Sequence, residues 1–333
     1  MPKQIDTLHL WLSHDLGYTV EQITALLGDA SSRQYYRIKA HSTSNPQQNY
    51  ILMHSPHPDD KLEQFIKVSE SLELMGVDVP RIYHKNVTQG LLLLEDLGDD
   101  LLLQKLTEDT VSDYYQKAMD IILNIQKHPT PSILPAFNKT HMLTEMNLFK
   151  DWFIKTHLEI TLTTSEEQFI DQQFSNIADA IEAHPQTMIH RDFHSRNLMV
   201  LPNAKLGVID FQDAMIGPRA YDLVSLLKDC YVSWTPSFIK HCCQYFHHEL
   251  SDNTSFENFY HEFTLCGLQR HLKVLGIFCR LYYRDGKSRY LADLPLTWQY
   301  MSNALNECPD LIEFKQFIDT RIYPICKKVL NLC

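Results

Sequence analysis

The chain changes character near residue 98, and this change limits the folds that are open to it. Before that point, short apolar segments predict several β-strands around one clear helix between Asp60 and Met75. After it, long amphipathic patterns predict helices over most of the remaining residues. The segment 187–213 is the exception, because its short apolar runs and polar turns predict a β-hairpin. The sequence therefore predicts an α+β, bilobal fold, with one small β-rich lobe and one larger, mostly helical lobe.

The predicted domain bounds follow from the same patterns. We assign residues 1–95 to an N-terminal lobe, 96–99 to a hinge and 100–333 to a helical C-terminal lobe that carries the hairpin 187–213. At the start of the N-terminal lobe, apolar residues near helical spacing over 5–28 predict one or two leading helices.

The composition excludes several classes of protein. Lys and Arg total 30 against 41 Asp and Glu, which gives a formal net charge of -11. So acidic a surface repels nucleic acid and anionic lipid over most of its area. No apolar run approaches the ~20 residues that a membrane-spanning helix needs, and the polar start does not fit a secretory signal. We therefore expect a soluble, cytoplasmic protein with neither nucleic acid nor a membrane as a partner.

The cysteines show no pattern of disulfides or of a metal site. All eight lie beyond residue 229, and they include no C-x-x-C pair, so we expect reduced thiols. The run HCCQYFHH at 241–248 could suggest zinc, but adjacent cysteines point to different faces of a helix.

Three polar residues in the hairpin segment carry the predicted chemistry. Asp192 follows His190-Arg191, Asn197 stands five residues later, and Asp210 follows the next apolar run. This H-x-D-x(4)-N spacing, followed by D-F, is typical of the catalytic and metal loops of kinases. Phosphoryl transfer needs a carboxylate that accepts the proton of the attacking hydroxyl, and oxygen ligands that hold Mg²⁺ against the phosphates. We predict Asp192 as the base, Asn197 and Asp210 as metal ligands, and His190 as a structural hydrogen-bonding residue.

An overlapping pattern points to another class of enzyme. His190, Asp192 and His194 form H-x-D-x-H, a metal-ligand spacing that would suit a hydrolase. That alternative leaves Asn197 and Asp210 without a role, and it predicts no connector between two lobes.

Longer stretches of the chain resemble a known group of enzymes. The stretch HRDFHSRNLM, with GVIDFQDAMIGPRAYDLVSLLKD after it, resembles the aminoglycoside-phosphotransferase superfamily of small-molecule kinases, which share the protein-kinase-like fold. A narrower similarity, to the anomeric N-acetylmuramate/N-acetylglucosamine kinases of peptidoglycan recycling, lies in DASSRQYYR (29–37), LLLLEDLGDDLL (91–102) and GLQRHLKVLGIFCRLYYRDGKSRYLADLP (267–295). The resemblance implies transfer of the γ-phosphoryl group of ATP, with Mg²⁺ as cofactor, to the C1 hydroxyl of an N-acetylated amino sugar.

The resemblance also assigns residues to the nucleotide. It places Glu95 and Leu97 on the connector whose backbone would pair with adenine, and Ser31, Ser32 and Arg33 on the turn that covers the phosphates. No G-x-G-x-x-G loop is present, so the serine hydroxyls and backbone amides would meet the phosphate instead.

The strand at 50–54 departs from the general kinase pattern. It offers Met53 where most kinases place a phosphate-pairing Lys, and we expect Arg33 or Arg37 to supply the missing charge. A further match is Asp222, which corresponds to an acid at the start of a helix that supports the catalytic loop.

For the sugar, we predict Glu145, Asp213 and Arg270 as binding residues, since a pocket for an N-acetyl hexose combines polar groups for its hydroxyls with an apolar wall. The lactyl carboxylate of N-acetylmuramate would require a cation, for which a bidentate Arg is best suited. The candidates for it are Arg191, Arg270, Lys273 and Arg280.

Two alternatives stay open at this point. An aminoglycoside- or choline-type kinase would keep the fold and take a cationic acceptor, which the acidic composition allows. A pseudokinase-like nucleotide-binding protein would explain the absent Lys and glycines, but it has no chemical need of Asp192, Asn197 and Asp210 together. The oligomeric state cannot be predicted from the sequence.

Overall fold

The computed structural model describes residues 2–26, 33–42, 48–56 and 62–332. Contacts divide the chain into two units. The first comprises residues 1–100 and 199–213, and the second comprises residues 101–198 and 214–333.

The first unit is built on an antiparallel sheet of five strands in the order β1-β2-β3-β5-β4. Its inner face packs a core that includes Trp11, Ile38, Tyr50 and Leu93. The elements are α1 (Pro2–Leu10), continued by π-helix over Trp11–Asp15, β1 (Thr19–Leu26), β2 (Gln34–His41), β3 (Gln48–His54), α2 (Leu62–Leu74), β4 (Ile82–Asn86), β5 (Leu91–Glu95), β7 (Leu198–Val200) and β8 (Leu206–Val208).

The helical prediction for residues 5–28 is wrong over Thr19–Leu26, which form strand β1, and residues 27–28 lie outside the described residues. A bulge shifts the β1–β2 register between Val20 and Gln22, so that Val20 pairs with Ala40 and Ile23 pairs with Ile38. The extra residue brings Val20 and Ile23 to the same, core-facing side of the sheet. Two apolar residues three positions apart then imitate the spacing of a helix, which explains the error.

The segment 187–213 divides differently from the prediction. The hairpin is formed by β7 and β8 alone, while β6 (Gln186–Ile189) pairs antiparallel with β9 (Met215–Pro218), a strand that the sequence analysis did not predict. The sequence places the whole hairpin segment in the helical lobe, whereas the structure groups residues 199–213 with the first unit. Two contacts within that unit explain this: Val208 donates its amide to the Asp78 carbonyl at 2.8 Å, and Phe211 packs on Phe65 with ring centroids 4.8 Å apart.

The second unit surrounds the long helix α9 (Phe256–Tyr283), which is buried along most of its length. Gly276 lies where α9 meets the end of α5 (Lys139–Leu148), and a Cβ there would stand 2.2 Å from the Leu148 carbonyl carbon, so only glycine fits. The helices are α3 (Leu102–Lys105), α4 (Val111–Lys127), α5 (Lys139–Leu148), continued by π-helix over Phe149–His157, α6 (Thr164–Glu182), α7 (Tyr221–Leu227), α8 (Pro236–Leu250), α9 (Phe256–Tyr283), α10 (Leu294–Glu307), α11 (Ile312–Phe317), π-helix over Ile318–Ile322, and α12 (Tyr323–Val329).

Two predictions about the whole chain can be compared with the described residues. No helix among them has both the length and the apolar character needed to cross a membrane. The seven cysteines in the described part of the chain are buried and unpaired with one another, as expected for reduced thiols.

Candidate active site

The loop that follows β6 carries His190, Asp192 and Asn197, and it is fixed by the buried carboxylate of Asp222. Asp222 is 2% exposed and accepts the backbone amides of His190 at 2.7 Å and of Arg191 at 2.9 Å. Arg191 has a φ of 77°, an uncommon value for a residue with a bulky side chain. The two hydrogen bonds to Asp222 hold the backbone in this conformation immediately before Asp192.

A second buried carboxylate, Asp229, holds the other end of the loop. It accepts the backbone amide of Ser195 at 3.0 Å and the Ser195 hydroxyl through one oxygen, and the Tyr231 amide at 3.0 Å through the other. Ser195 and Asp229 are both fully buried. This pair was not predicted from the sequence. The available signal was an acid at the end of the apolar run LVSLLKD, since a buried acid usually has specific hydrogen-bond donors.

Within the loop, Asp192 is the centre of a local hydrogen-bond network. Its carbonyl accepts the His194 amide and the Nδ2 of Asn197, each at 3.0 Å, and its own amide donates to His190 Nδ1 at 3.3 Å. The Asn197 nitrogen is thus used inside the loop, so the amide oxygen is the end that could bind a metal. The His190 ring is 3% exposed and packs edge-on against Phe193, which suits the structural role predicted for it.

The charges around Asp192 keep its carboxyl group ionised. Burial acts to raise the pKa of Asp192, but the positive charges of Lys273, Arg191 and Arg270 outweigh burial and hold the pKa well below its ordinary value. Asp192 is therefore a carboxylate at neutral pH and can accept a proton.

The predicted sugar-binding residue Glu145 is itself enclosed by cations. It is 7% exposed, and its Oε1 contacts Arg191 Nη2 and lies 3.2 Å from Lys273 Nζ, while Gln269 donates to its Oε2 at 2.9 Å. Burial acts to raise the pKa of Glu145, and the charges of Lys273 and Arg191 lower it below the ordinary value. Both oxygens of Glu145 are thus occupied by neighbouring side chains of this unit.

Arg270 lies one helical turn from Lys273 on α9, and its partners are neutral groups. Its Nε donates to Ser225 Oγ at 2.8 Å, and its Nη1 lies 3.7 Å from Cys230 Sγ. The Ser225 hydroxyl is in turn within 3.2 Å of the Arg191 carbonyl oxygen, so this chain of contacts leads to the residue before Asp192.

The remaining predicted metal and sugar ligands belong to the first unit. Asp210 is exposed, has a φ of 64° and accepts Gln212 Nε2 at 2.7 Å through Oδ1. Asp213 ends the 3-10 turn that Phe211 begins and is half-buried. Asp192, Asn197, Glu145 and Arg270 belong to the second unit, so the predicted site residues are divided between the two.

The predicted nucleotide residues within the first unit are partly described. Ser31 and Ser32 lie outside the described residues. Arg33 is 7% exposed, with its guanidinium 5.7 Å from the centroid of the Phe65 ring. The Glu95 amide donates to the Arg81 carbonyl at 2.8 Å, so this N–H is not available to adenine.

Arg37, the second candidate to replace the missing Lys, binds residues of the predicted hinge segment. Its Nε lies 2.6 Å from Asp96 Oδ2, and its Nη1 lies 2.8 Å from Asp99 Oδ1. It also donates to the Gly98 carbonyl at 3.2 Å. These contacts argue against Arg37 as the residue that supplies the missing charge.

The metal-dependent hydrolase alternative finds no support in the described part of the chain. Residues 2–26, 33–42, 48–56 and 62–332 contain no group of three or more His, Cys, Asp or Glu side chains placed to hold a metal ion. The rings of His190 and His194 instead pack on Phe193 and Tyr231.

The chain is similar in sequence to known proteins. The profile of the "Phosphotransferase enzyme family" matches residues 22–255. An N-acetylmuramate/N-acetylglucosamine kinase of Pseudomonas putida is 33% identical over 302 residues, which cover 89% of this chain and 87% of that protein. A protein of the same name from Pseudomonas aeruginosa is 35% identical over 300 residues, covering 87% of this chain and 86% of that protein.

A solved structure shows the same fold at low sequence identity. The ADP-bound aminoglycoside phosphotransferase APH(2'')-Ib superposes with a TM-score of 0.61 at 15% identity, covering 90% of this chain and 97% of that one. The protein-kinase-like α+β fold that we predicted is therefore confirmed.

Proposed function

The chain belongs to the phosphotransferase enzyme family, and from that premise we propose that it phosphorylates the C1 hydroxyl of N-acetylmuramate, N-acetylglucosamine or both with ATP. The names of the relatives support the two sugars. We place the reaction in the cytoplasm, where ATP is available, as a step of cell-wall recycling that yields a sugar 1-phosphate and ADP.

The observation that carries the proposal is the fixed position of the Asp192 loop. Asp222 binds the amides before Asp192, and Asp229 binds the amide and hydroxyl of Ser195 after it. Catalysis of phosphoryl transfer consists mainly of positioning and electrostatic stabilisation, so a preorganised loop is the feature that the reaction requires.

The proposed chemistry at Asp192 is that of a general base. Its carboxylate would accept a hydrogen bond from the C1 hydroxyl and orient the oxygen toward the γ-phosphorus. As the new O–P bond forms and the bond to the β-phosphate oxygen breaks, Asp192 would take the hydroxyl proton. A carboxylate with a low pKa is a weak base, but the anomeric hydroxyl is more acidic than the other hydroxyls of a sugar, so a weak base can suffice.

The proposed metal ligands are Asn197 and Asp210, and their free atoms fit Mg²⁺. The Asn197 nitrogen is held by the Asp192 carbonyl, which leaves the amide oxygen. Gln212 takes one oxygen of Asp210, which leaves the other. Such oxygen donors suit Mg²⁺, which when bound supplies positive charge to the phosphate oxygens.

The nucleotide and sugar contacts complete the proposal. Arg33, Ser31 and Ser32 would meet the phosphates, and the Glu95 carbonyl with the Leu97 backbone would meet adenine. Arg270 and Asp213 would contact the sugar directly. Because Arg191, Lys273 and Gln269 occupy the oxygens of Glu145, we propose that Glu145 shapes the sugar pocket by fixing these side chains.

The test is to incubate the purified chain with ATP, Mg²⁺ and each sugar and to identify the product by ³¹P NMR. We expect a sugar 1-phosphate. A 6-phosphate would refute the proposed regiochemistry. Turnover with choline or an aminoglycoside, and none with either amino sugar, would favour the other type of kinase. ATP binding without turnover on any acceptor would favour a pseudokinase.

A further inference from the structure

Arg270 is a buried cation with no ion-pair partner among the described residues. It is 3% exposed, and within the described parts of the chain no carboxylate oxygen lies at ion-pair distance from it. A guanidinium carries five N–H donors. The contacts to Ser225 and Cys230 use two of them, which leaves three without an acceptor in the described structure. The carboxylates of Asp192 and Asp229 act on the Arg270 charge from beyond ion-pair distance, so it is the unused donors that point to a further, anionic acceptor.

The surroundings of Arg270 contain further polar atoms without a partner. The Tyr221 hydroxyl and Gln269 Oε1 are fully buried and form no hydrogen bond in the described part of the chain. Gln269 is adjacent to Arg270 in sequence and donates to Glu145. The charges of Glu145, Arg270 and Asp192 act on the Tyr221 hydroxyl, so these groups share one polar region.

The two other cations of this region are already paired. Arg191 and Lys273 share the single carboxylate of Glu145. The nearby Asp222 and Asp229 direct their oxygens to backbone amides and to the Ser195 hydroxyl. Arg270 is therefore the cation of this region that is best placed to bind an anion from outside the chain.

We infer that Arg270 recognises a carboxylate on the acceptor, and so makes the enzyme prefer an acidic amino sugar over the neutral one. This rests on the proposed function. The two proposed sugars differ by a lactyl ether that ends in a carboxylate, and the planar fork of an Arg binds a carboxylate through two parallel hydrogen bonds. The connection from Arg270 through Ser225 to the Arg191 carbonyl places this recognition next to the loop that carries the base.

The guanidinium of Arg270 could equally bind a phosphoryl oxygen of ATP. Kinetic measurements with the two sugars as matched acceptors distinguish a bound carboxylate from a bound phosphoryl group. We would measure kcat/KM of wild type, Arg270→Gln and Arg270→Lys with N-acetylmuramate and with N-acetylglucosamine. Loss of a charge-assisted hydrogen-bonded pair lowers affinity by about tenfold to hundredfold. We expect the preference for N-acetylmuramate to fall by that factor in Arg270→Gln, mostly through KM, and by less in Arg270→Lys, which keeps the charge but not the fork. The matched control Arg284→Gln alters an exposed Arg that is paired with Asp285.

A second measurement needs only the wild type and therefore does not depend on the variants' folding. Replacing the lactyl carboxylate by a neutral carboxamide should lower kcat/KM by the same factor. An equal fall in kcat for both sugars in Arg270→Gln would assign Arg270 to the phosphoryl group and overturn the inference. Wild-type turnover of both sugars without preference, or of the carboxamide as well as the acid, would overturn it while the proposed function stands. Turnover of neither sugar would refute the proposed function and the inference with it.

Discussion

At the proposed catalytic loop, Asp222 and Asp229 are at most 2% exposed and their carboxylates bind backbone amides. At the predicted hinge segment, the side chain of Asp99 is 80% exposed and binds the guanidinium of Arg37. Both regions use acids to fix a short segment, but buried charges that are fully hydrogen-bonded leave the chain few alternative conformations. Exposed pairs compete with water and contribute little. The segment around Asp192 is therefore held by buried carboxylates, whereas the predicted hinge segment is held at one end by Asp96, whose side chain is 6% exposed, and at the other by the exposed Asp99.

The largest loss of stability is expected on substitution of Glu145, which forms an ion pair with Arg191 of the proposed catalytic loop. Glu145→Gln would leave the Arg191 and Lys273 charges, whose side chains are 12% and 7% exposed, without their carboxylate. Breaking a buried pair in this way costs about 3–5 kcal/mol, and we expect that decrease in the free energy of unfolding, measured with urea at pH 7. Glu313→Gln, on an exposed position of α11, is the matched control. A decrease in the free energy of unfolding as small as that of the Glu313→Gln control would refute the difference between the two regions.

The stabilisation that Glu145 provides should depend on pH. The folded-state pKa of Glu145 is lowered, whereas its unfolded value is about 4.3. The stabilisation from ionised Glu145 is therefore fully present above the pKa of the unfolded state. It is lost as the pH falls through the pKa of the folded state. The difference in unfolding free energy between wild type and Glu145→Gln should shrink as the pH is lowered from 6 toward 3. A difference that stays constant over this range would contradict the assignment.

A smaller loss of stability, with a clear loss of activity, is expected at Asp222. Asp222→Asn keeps the shape, but the amide can offer only one oxygen to the His190 and Arg191 amides. Hydrogen bonds to a charged group contribute about 1.5–3 kcal/mol, so we expect a decrease of about 2 kcal/mol in unfolding free energy. The kcat should fall about a hundredfold while the KM for ATP changes little, because the loop positions the base. Asp285→Asn, on an exposed ion pair, serves as control. A change confined to KM would contradict the role of a positioning residue.

The smallest loss of stability is expected at the predicted hinge segment. Asp99→Asn removes an exposed partner of Arg37 while the contact to Asp96 remains. We expect a change of about 0.5 kcal/mol or less in unfolding free energy, and this difference should disappear in 1 M NaCl because salt screens exposed charges. A salt-independent loss as large as that of Asp222→Asn would show that the two regions are held alike.

The features that could be predicted from the sequence are local ones. The spacing of Asp192, Asn197 and Asp210 lies within one short stretch, and the change of pattern near residue 98 indicated the fold class. The Asp229–Ser195 contact could not be predicted, because it joins residues 34 positions apart and depends on how α7 packs. The pairing of Arg37 with Asp96 likewise spans 59 positions. Strand β1 was missed because its bulge gives apolar residues a helix-like spacing.

The central claim is that Asp192 accepts the proton of the attacking sugar hydroxyl. The most direct test compares kcat of wild type and Asp192→Asn with ATP, Mg²⁺ and N-acetylmuramate, with ATP affinity and the unfolding curve as controls for the fold. We expect kcat to fall by about 10²–10⁴-fold, with ATP binding and stability nearly unchanged. An Asp192→Asn variant that still forms the sugar phosphate within tenfold of the wild-type rate would contradict the account.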